Sequence, residues 1–148
     1  MLDADEVPGH NAGIYQLEDQ IGFILRQASQ RHTALFAKAM PPGLTPTQFA
    51  ALARLYQQGP CSQNHLGRLT AMDGATIKGV VERLVRRGLA RTLPDPGDKR
   101  RLLAELTDAG RDFAGSAIAG AIEVTAATLA PLRKSEQAQF VALLKKLR

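Results

Sequence analysis

The chain has 148 residues, 45% hydrophobic and 22% charged, a balance that supports one packed domain with or without an oligomerisation extension and excludes a strongly disordered chain. Its single cysteine excludes an internal disulfide framework and a cysteine-rich metal site, and no apolar run approaches the ~18 residues of a spanning helix. The net charge of +5 is unevenly spread: residues 1–40 hold three Lys/Arg against five Asp/Glu, whereas residues 62–101 hold nine basic against four acidic side chains, a surplus that suits either a polyanionic partner or a simply soluble basic surface.

The first thirteen residues, acidic and interrupted by Pro8, Gly9 and Gly13, predict a mobile arm. They lack the charged-then-apolar pattern of a signal peptide, so a cytoplasmic protein without membrane attachment is expected. From Ile14 to about Met40 the residues Ile14, Leu17, Ile21, Ile24, Ala28 and Leu35 recur at helical spacing, and Pro41-Pro42-Gly43 ends the pattern. Thr45-Pro46-Thr47-Gln48 reads as a capping box with proline at the first helical position, opening a helix with Phe49, Leu52 and Leu55 on its apolar stripe.

After Gly59-Pro60, Ser62 is placed to cap a short helix burying Leu66 and Leu69. Asp73 is placed to cap the next, whose Ile77, Val80, Val81, Leu84 and Val85 are expected to face the core, with Gly88 as its left-handed terminator. The period then changes. Residues 89–93 and 102–106 read as two strands, and the turn formers and basic residues of 94–101 read as a long hairpin tip. Thr107 is placed to cap a helix from about Asp108 to Leu129, and Ser135 to begin a last helix with Phe140, Leu143, Leu144 and Leu147 on one face.

Two short helices across a tight turn can place the second in the major groove of DNA. Here the first turns of that helix present Gly74, Ala75, Thr76, Lys78 and Gly79 away from its apolar face, small and polar groups that allow close approach to base edges; an ordinary amphipathic surface helix looks the same. The basic hairpin narrows the choice. Lys99, Arg100 and Arg101 are held between two strands, where they can reach a neighbouring minor groove, and Asp98 is placed to orient Arg100.

Residues 44–111 closely resemble the MarR family of bacterial regulators. The resemblance rests on Asp-x-Arg-Arg at Asp98 to Arg101, on VVERLVRRGL over 80–89 and on Leu106-Thr107-Asp108-Ala109-Gly110-Arg111. It implies a mainly α fold with a small β-hairpin wing, divided into the arm (1–13), a winged helix-turn-helix DNA-binding domain (44–107) and N- and C-terminal dimerisation helices (14–43 and 108–148). It also implies a homodimer on a near-palindromic operator in double-stranded DNA, usually repressing, and in many members released by a small aromatic acid. Ser62 and Gln63 would touch phosphates, Ala75, Thr76, Lys78 and Gly79 would line the major groove, and Arg100 would enter the minor groove. Arg83, Lys99 and Arg101 complete the expected DNA-binding set. Where many relatives carry arginine, Gly74 or Gly79 stands here, which shifts specificity towards the wing and DNA shape.

The resemblance places an effector pocket beside the first helix. His32, on that helix's apolar stripe, reads either as a satisfied core histidine or as the partner of an effector carboxylate, with Tyr15, Phe23 and Phe49 as walls and Arg26 and Arg31 as anion partners. His10, His32 and His65 are far apart, no nucleophile–base spacing and no phosphate loop occurs, and no cofactor is expected; the chain does not read as an enzyme. A metal sensor would need His10, His32, His65 or Cys61 to converge, and a redox sensor would need a reactive Cys61, which reads better as an inert small side chain. The alternative from another class is a winged helix that binds protein.

Overall fold

The computed structural model describes residues 10, 11 and 14–148. The arm expected over 1–13 lies outside the described residues, except for the backbone of His10–Asn11 (β1), which pairs antiparallel with Ile14–Tyr15 (β2). This corrects the first helix. Ile14 and Leu17 belong to β2 and a 3-10 turn, Leu17–Asp19, and α1 runs only over Ile21–Ala39. The helical spacing continues through the correction because the stripe is real but uncovered: Ile14, Ile21 and Ile24 are 65%, 63% and 44% exposed within the single chain.

The central module forms through local chemistry that its sequence announces. Thr45 accepts from the Gln48 backbone N–H at the start of α2 (Pro46–Gln58), Ser62 from that of His65 at the start of α3 (Gln63–Leu69), and Asp73 from that of Thr76 at the start of α4 (Gly74–Arg86). The capping box at Thr45 is only half made, because the Gln48 side chain turns inward instead of back to the cap. It is 5% exposed, and its Oε1 accepts from Arg87 Nη1 at 3.3 Å.

Leu52 and Leu55 of α2, Leu66 of α3, and Ile77, Val80, Val81 and Leu84 of α4 form the fully buried centre. Each such side chain contributes about 1.5–3 kcal/mol by leaving water. Val85, expected in this core, is instead 39% exposed, since it follows Leu84 by one residue and points a further 100° round the helix. Gly88, at φ 72°, supplies the left-handed residue that ends α4 and lets the chain turn into the sheet.

That sheet has the order β3-β5-β4: Cys61–Ser62 (β3) and Ala90–Asp95 (β4) both pair antiparallel with Asp98–Leu106 (β5). The long basic tip expected over 94–101 is therefore a two-residue turn, Pro96-Gly97. Lys99, Arg100 and Arg101 lie in β5 itself. Pro94 and the turn formers suggested a loop, but β4 is an edge strand, which tolerates a missing N–H, and the ladder absorbs the proline with a register shift at Pro94/Asp95.

α5 (Asp108–Leu129), capped by Thr107, packs on α1 and α2. α6 (Lys134–Lys145) bends 103° away from it. It starts one residue before Ser135, where Glu136 accepts from the Arg133 backbone N–H at 2.8 Å. No single helix among the described residues is long and apolar enough to cross a membrane.

Candidate nucleic-acid interface

Two open concavities join the start of α3, the outer face of α4 and the hairpin. One, of about 240 Å³, is lined by Ser62, Gln63, Asn64, Arg100, Arg101 and Leu102. The other, of about 450 Å³, runs between Gln63, Lys78, Glu82, Val85, Arg86, Thr92 and Leu102. Gln63 and Leu102 line both, so the two form one continuous surface carrying Lys78, Arg86, Arg100 and Arg101.

On α4, Ala75, Thr76, Lys78 and Arg83 are exposed and Gly79 half-buried. Lys99 is exposed on β5 without lining either concavity. The spacing had not singled out Asn64, Arg86, Thr92 or Leu102. Lys78, Glu82 and Arg86 follow one another at four-residue steps, so a helical wheel does carry the signal for Arg86.

The hairpin is fastened by its own carboxylates. Asp95 Oδ1 accepts from the Gly97 N–H at 2.8 Å and closes the turn. Asp98 Oδ1 accepts from the backbone N–H of Arg100 at 3.0 Å and from its Nε at 3.2 Å. The backbone N–H of Arg100, then its side chain, then the charge of Arg101 hold the Asp98 carboxyl below the usual aspartate range. The N–H of Thr76 does the same for Asp73 at the head of α4. The half-buried Cys61 thiol is pushed up by desolvation, which opposes the thiolate a redox sensor needs.

The expected effector residues do not share one site. Tyr15, Phe23 and Arg26 line a concavity of about 360 Å³ at the start of α1, together with Gln20 and Ile21. Phe49 instead packs edge-on against Phe36, centroids 6.0 Å apart. Arg31 donates to the Ala127 and Thr128 carbonyls at the end of α5, both at 2.8 Å.

His32 Nδ1 lies 2.9 Å from Thr128 Oγ1. That hydroxyl donates to the Val124 carbonyl at 2.8 Å, so it accepts from the Nδ1–H of His32. His32 and Arg26 are six residues apart, about 9 Å along the helix and on different faces. Among the described residues no group of three or more His, Cys, Asp or Glu side chains could hold a metal ion.

A sequence model of the MarR family matches residues 43–101. Over 134 residues, 90% of this chain and 85% of the relative, the chain is 41% identical to the HTH-type transcriptional repressor NicR of Pseudomonas putida. It belongs to the MarR family. The fold agrees throughout. A probable transcriptional regulator from Pseudomonas aeruginosa superposes with a TM-score of 0.86 at 58% identity, covering 90% of this chain and all of that one. Bordetella bronchiseptica BpsR, whose DNA binding is regulated by 6-hydroxynicotinic acid, superposes with a TM-score of 0.87 at 39% identity, covering 91% of this chain and 97% of that one.

One departure of this MarR-family chain from its expected pattern has a measurable cost. Gly79 sits inside α4, and a Cβ there would meet only Arg83 Nη1, at 4.0 Å. Gly79→Ala is therefore expected to stabilise the fold by about 0.5–1 kcal/mol, read as a raised urea midpoint at unchanged slope. A lowered midpoint would mean that the space beside Gly79 is not open to a methyl group.

Proposed function

We propose that this MarR-family protein is a sequence-specific DNA-binding transcriptional repressor. On this reading it works in the cytoplasm as a homodimer on a near-palindromic operator and is released by a small aromatic or heteroaromatic carboxylate. The observation that carries the DNA-binding reading is the continuous basic surface formed by the start of α3, α4 and β5. On this reading α4 enters the major groove and Arg100 the adjacent minor groove.

Ser62 and Gln63 serve as phosphate contacts. Ala75, Thr76, Lys78 and Gly79 line the major groove, and Arg83, Lys99 and Arg101 add charge along the backbone. The homodimer is supported by the apolar groove of about 340 Å³ between α1 and α6, where Ile21, Leu143 and Leu147 stay 63%, 51% and 69% exposed in the single chain.

The effector class is supported by the likeness to BpsR and by the concavity of Tyr15, Phe23 and Arg26, which offers two aromatic walls and one cation within a volume suited to a one-ring acid. His32, engaged through Nδ1 by Thr128, leaves Nε2 as the ring nitrogen that would meet such a molecule.

The test is a gel-shift titration of the DNA just upstream of the protein's own gene, at two salt concentrations, with and without 6-hydroxynicotinic acid. A specific shift, weakened by salt through counterion release and reversed by the acid, is expected. A folded dimer that shifts no duplex at low salt would favour the protein-binding winged helix. Arg26→Ala and His32→Ala then divide the effector site: whichever variant keeps full release does not contact the ligand.

A further inference from the structure

The far end of α4 is held differently from its free outer face. The two residues that follow its C-cap, Gly88 and Leu89, are joined to the N-cap of α5 by two hydrogen bonds from Thr107. Thr107 Oγ1 donates to the Gly88 carbonyl at 2.7 Å, the Thr107 N–H donates to the Leu89 carbonyl at 3.2 Å, and the same Thr107 hydroxyl accepts from the Gly110 N–H at 3.0 Å to cap α5. These contacts form a pivot: the end of α4 cannot leave the start of α5, but a pivot alone does not fix the angle between the two helices.

Arg87 supplies the second point of attachment. Its guanidinium carbon lies 5.2 Å from the centroid of the Phe113 ring, more than one turn into α5. Its Nη1 donates to Gln48 Oε1 of α2 at 3.3 Å. Gln48 is the one polar side chain in the buried core of the described residues; its backbone N–H keeps the cap bond to Thr45 while its side chain faces Arg87. A buried amide kept for one partner fixes a geometry, because leaving it unpaired in the core is unfavourable. Phe49, the neighbour of Gln48 in α2, packs on Phe36 of α1.

We infer that Arg87 is a positioning residue. Bridging Gln48 of α2 and Phe113 of α5, it sets the angle of α4 relative to the rest of the protomer and hence, in a two-fold dimer, the separation of the two recognition helices. The inference rests on the DNA-binding reading above. Half-site spacing is fixed by the distance between paired helices, so a residue that holds their angle controls which operator spacing is accepted without touching a base. It also gives a route for effector release, since a ligand that shifts α1 or α5 moves α4 only as far as this bracket transmits the shift.

The experiment uses a duplex selected from a random library by the wild-type protein, and two variants of it with one base pair added or removed at the centre of its dyad. Wild type is expected to prefer the selected spacing. In Arg87→Ala that preference falls about three-fold or more, while the dependence of affinity on salt is unchanged. Gln48→Leu, which leaves Arg87 in place and fills the core, gives the same relaxed preference, and Arg87→Lys restores part of it.

If Arg87 only touched a phosphate, all three duplexes would weaken equally and the salt slope would fall by about one. If it only held the fold together, the melting temperature would drop with the spacing preference intact. Either result overturns the inference while leaving DNA binding in place. A wild-type protein that selects no duplex at all overturns the reading beneath it.

Discussion

Gly110→Ala is expected to be the most damaging single-methyl change in the chain, lowering stability by about 3 kcal/mol or more and the melting temperature by about 10 °C. A Cβ at Gly110 would fall inside the Leu89 carbonyl oxygen and lie 2.7 Å from its carbon. Both are backbone atoms, so no rotamer change relieves the overlap. The Leu89 carbonyl is also fixed, because it accepts the Thr107 N–H that links the strand's entry to the head of α5. Relief therefore requires α5 to move as a body, which opens the Thr107 cap and the packing of Ala114 and Ala117, 0% and 1% exposed. Thermal melting checks this directly. Gly120→Ala is a control in the same helix, because a Cβ there meets the Ala39 carbonyl at 3.4 Å and the Met40 side chain at 3.5 Å, ordinary contact distances. Equal melting temperatures for the two variants would refute the close-approach account.

The same junction shows how far the sequence could be read. Thr107, Asp73, Ser62 and Thr45 each precede a helical pattern, and a cap is a local event between neighbours, so all four helix starts were legible. The partners of a side chain across the fold are not local. Gln48 reads as the second half of a capping box and instead meets Arg87, thirty-nine residues away. The hairpin was legible in kind but not in length, because Pro94 signals a break only in a strand with two neighbours, and the strand order that puts β4 on the edge is a tertiary fact.

The candidate site divides in the same way. Residues on one helix face or one strand, such as Lys78 with Gly79 or Arg100 with Arg101, can be grouped by period alone. That Ser62, Gln63 and Arg100 surround one concavity depends on β3 pairing with β5, Ser62 opposite Leu103. The effector residues were grouped by the pocket that the family resemblance places beside the first helix, and the folded geometry divides that grouping. Arg26 and His32 diverge by angle, and Arg31 is drawn to the α5 carbonyls, where cations at a helix C-terminus are favoured. The apolar stripe of α1 was visible as period, but only the fold shows that Ile21 and Ile24 stay 63% and 44% exposed among the described residues.

Arg100→Ala is expected to weaken operator binding by about 1–3 kcal/mol and to lower the salt slope by about one, with no change in melting temperature. The side chain is 92% exposed, and its ion pair with Asp98 is a surface pair, a class that contributes little to folding. Its geometry matters for another reason. Asp98 holds both the backbone N–H and Nε of Arg100, and the two terminal nitrogens make no other hydrogen bond among the described residues, so the fork projects from the hairpin in a fixed direction. Arg100→Lys keeps the charge but loses the Nε tether and the planar fork; it should restore the salt slope without restoring the affinity.

The sign of the pH effect follows from the same bonds. The folded Asp98 carboxyl is held below its unfolded value, so the tether is fully present above the ordinary aspartate range and is lost only as pH falls through the lowered value. DNA affinity is therefore expected to stay flat through the neutral range, and Asp98→Asn, which cannot carry the charge, should weaken binding there, with its difference from wild type vanishing as pH falls through the lowered value. Fluorescence-anisotropy titrations of the three variants across salt and pH separate these outcomes. An unchanged affinity and salt slope in Arg100→Ala would take the wing out of DNA recognition and leave α4, with its glycines at 74 and 79, to carry it alone.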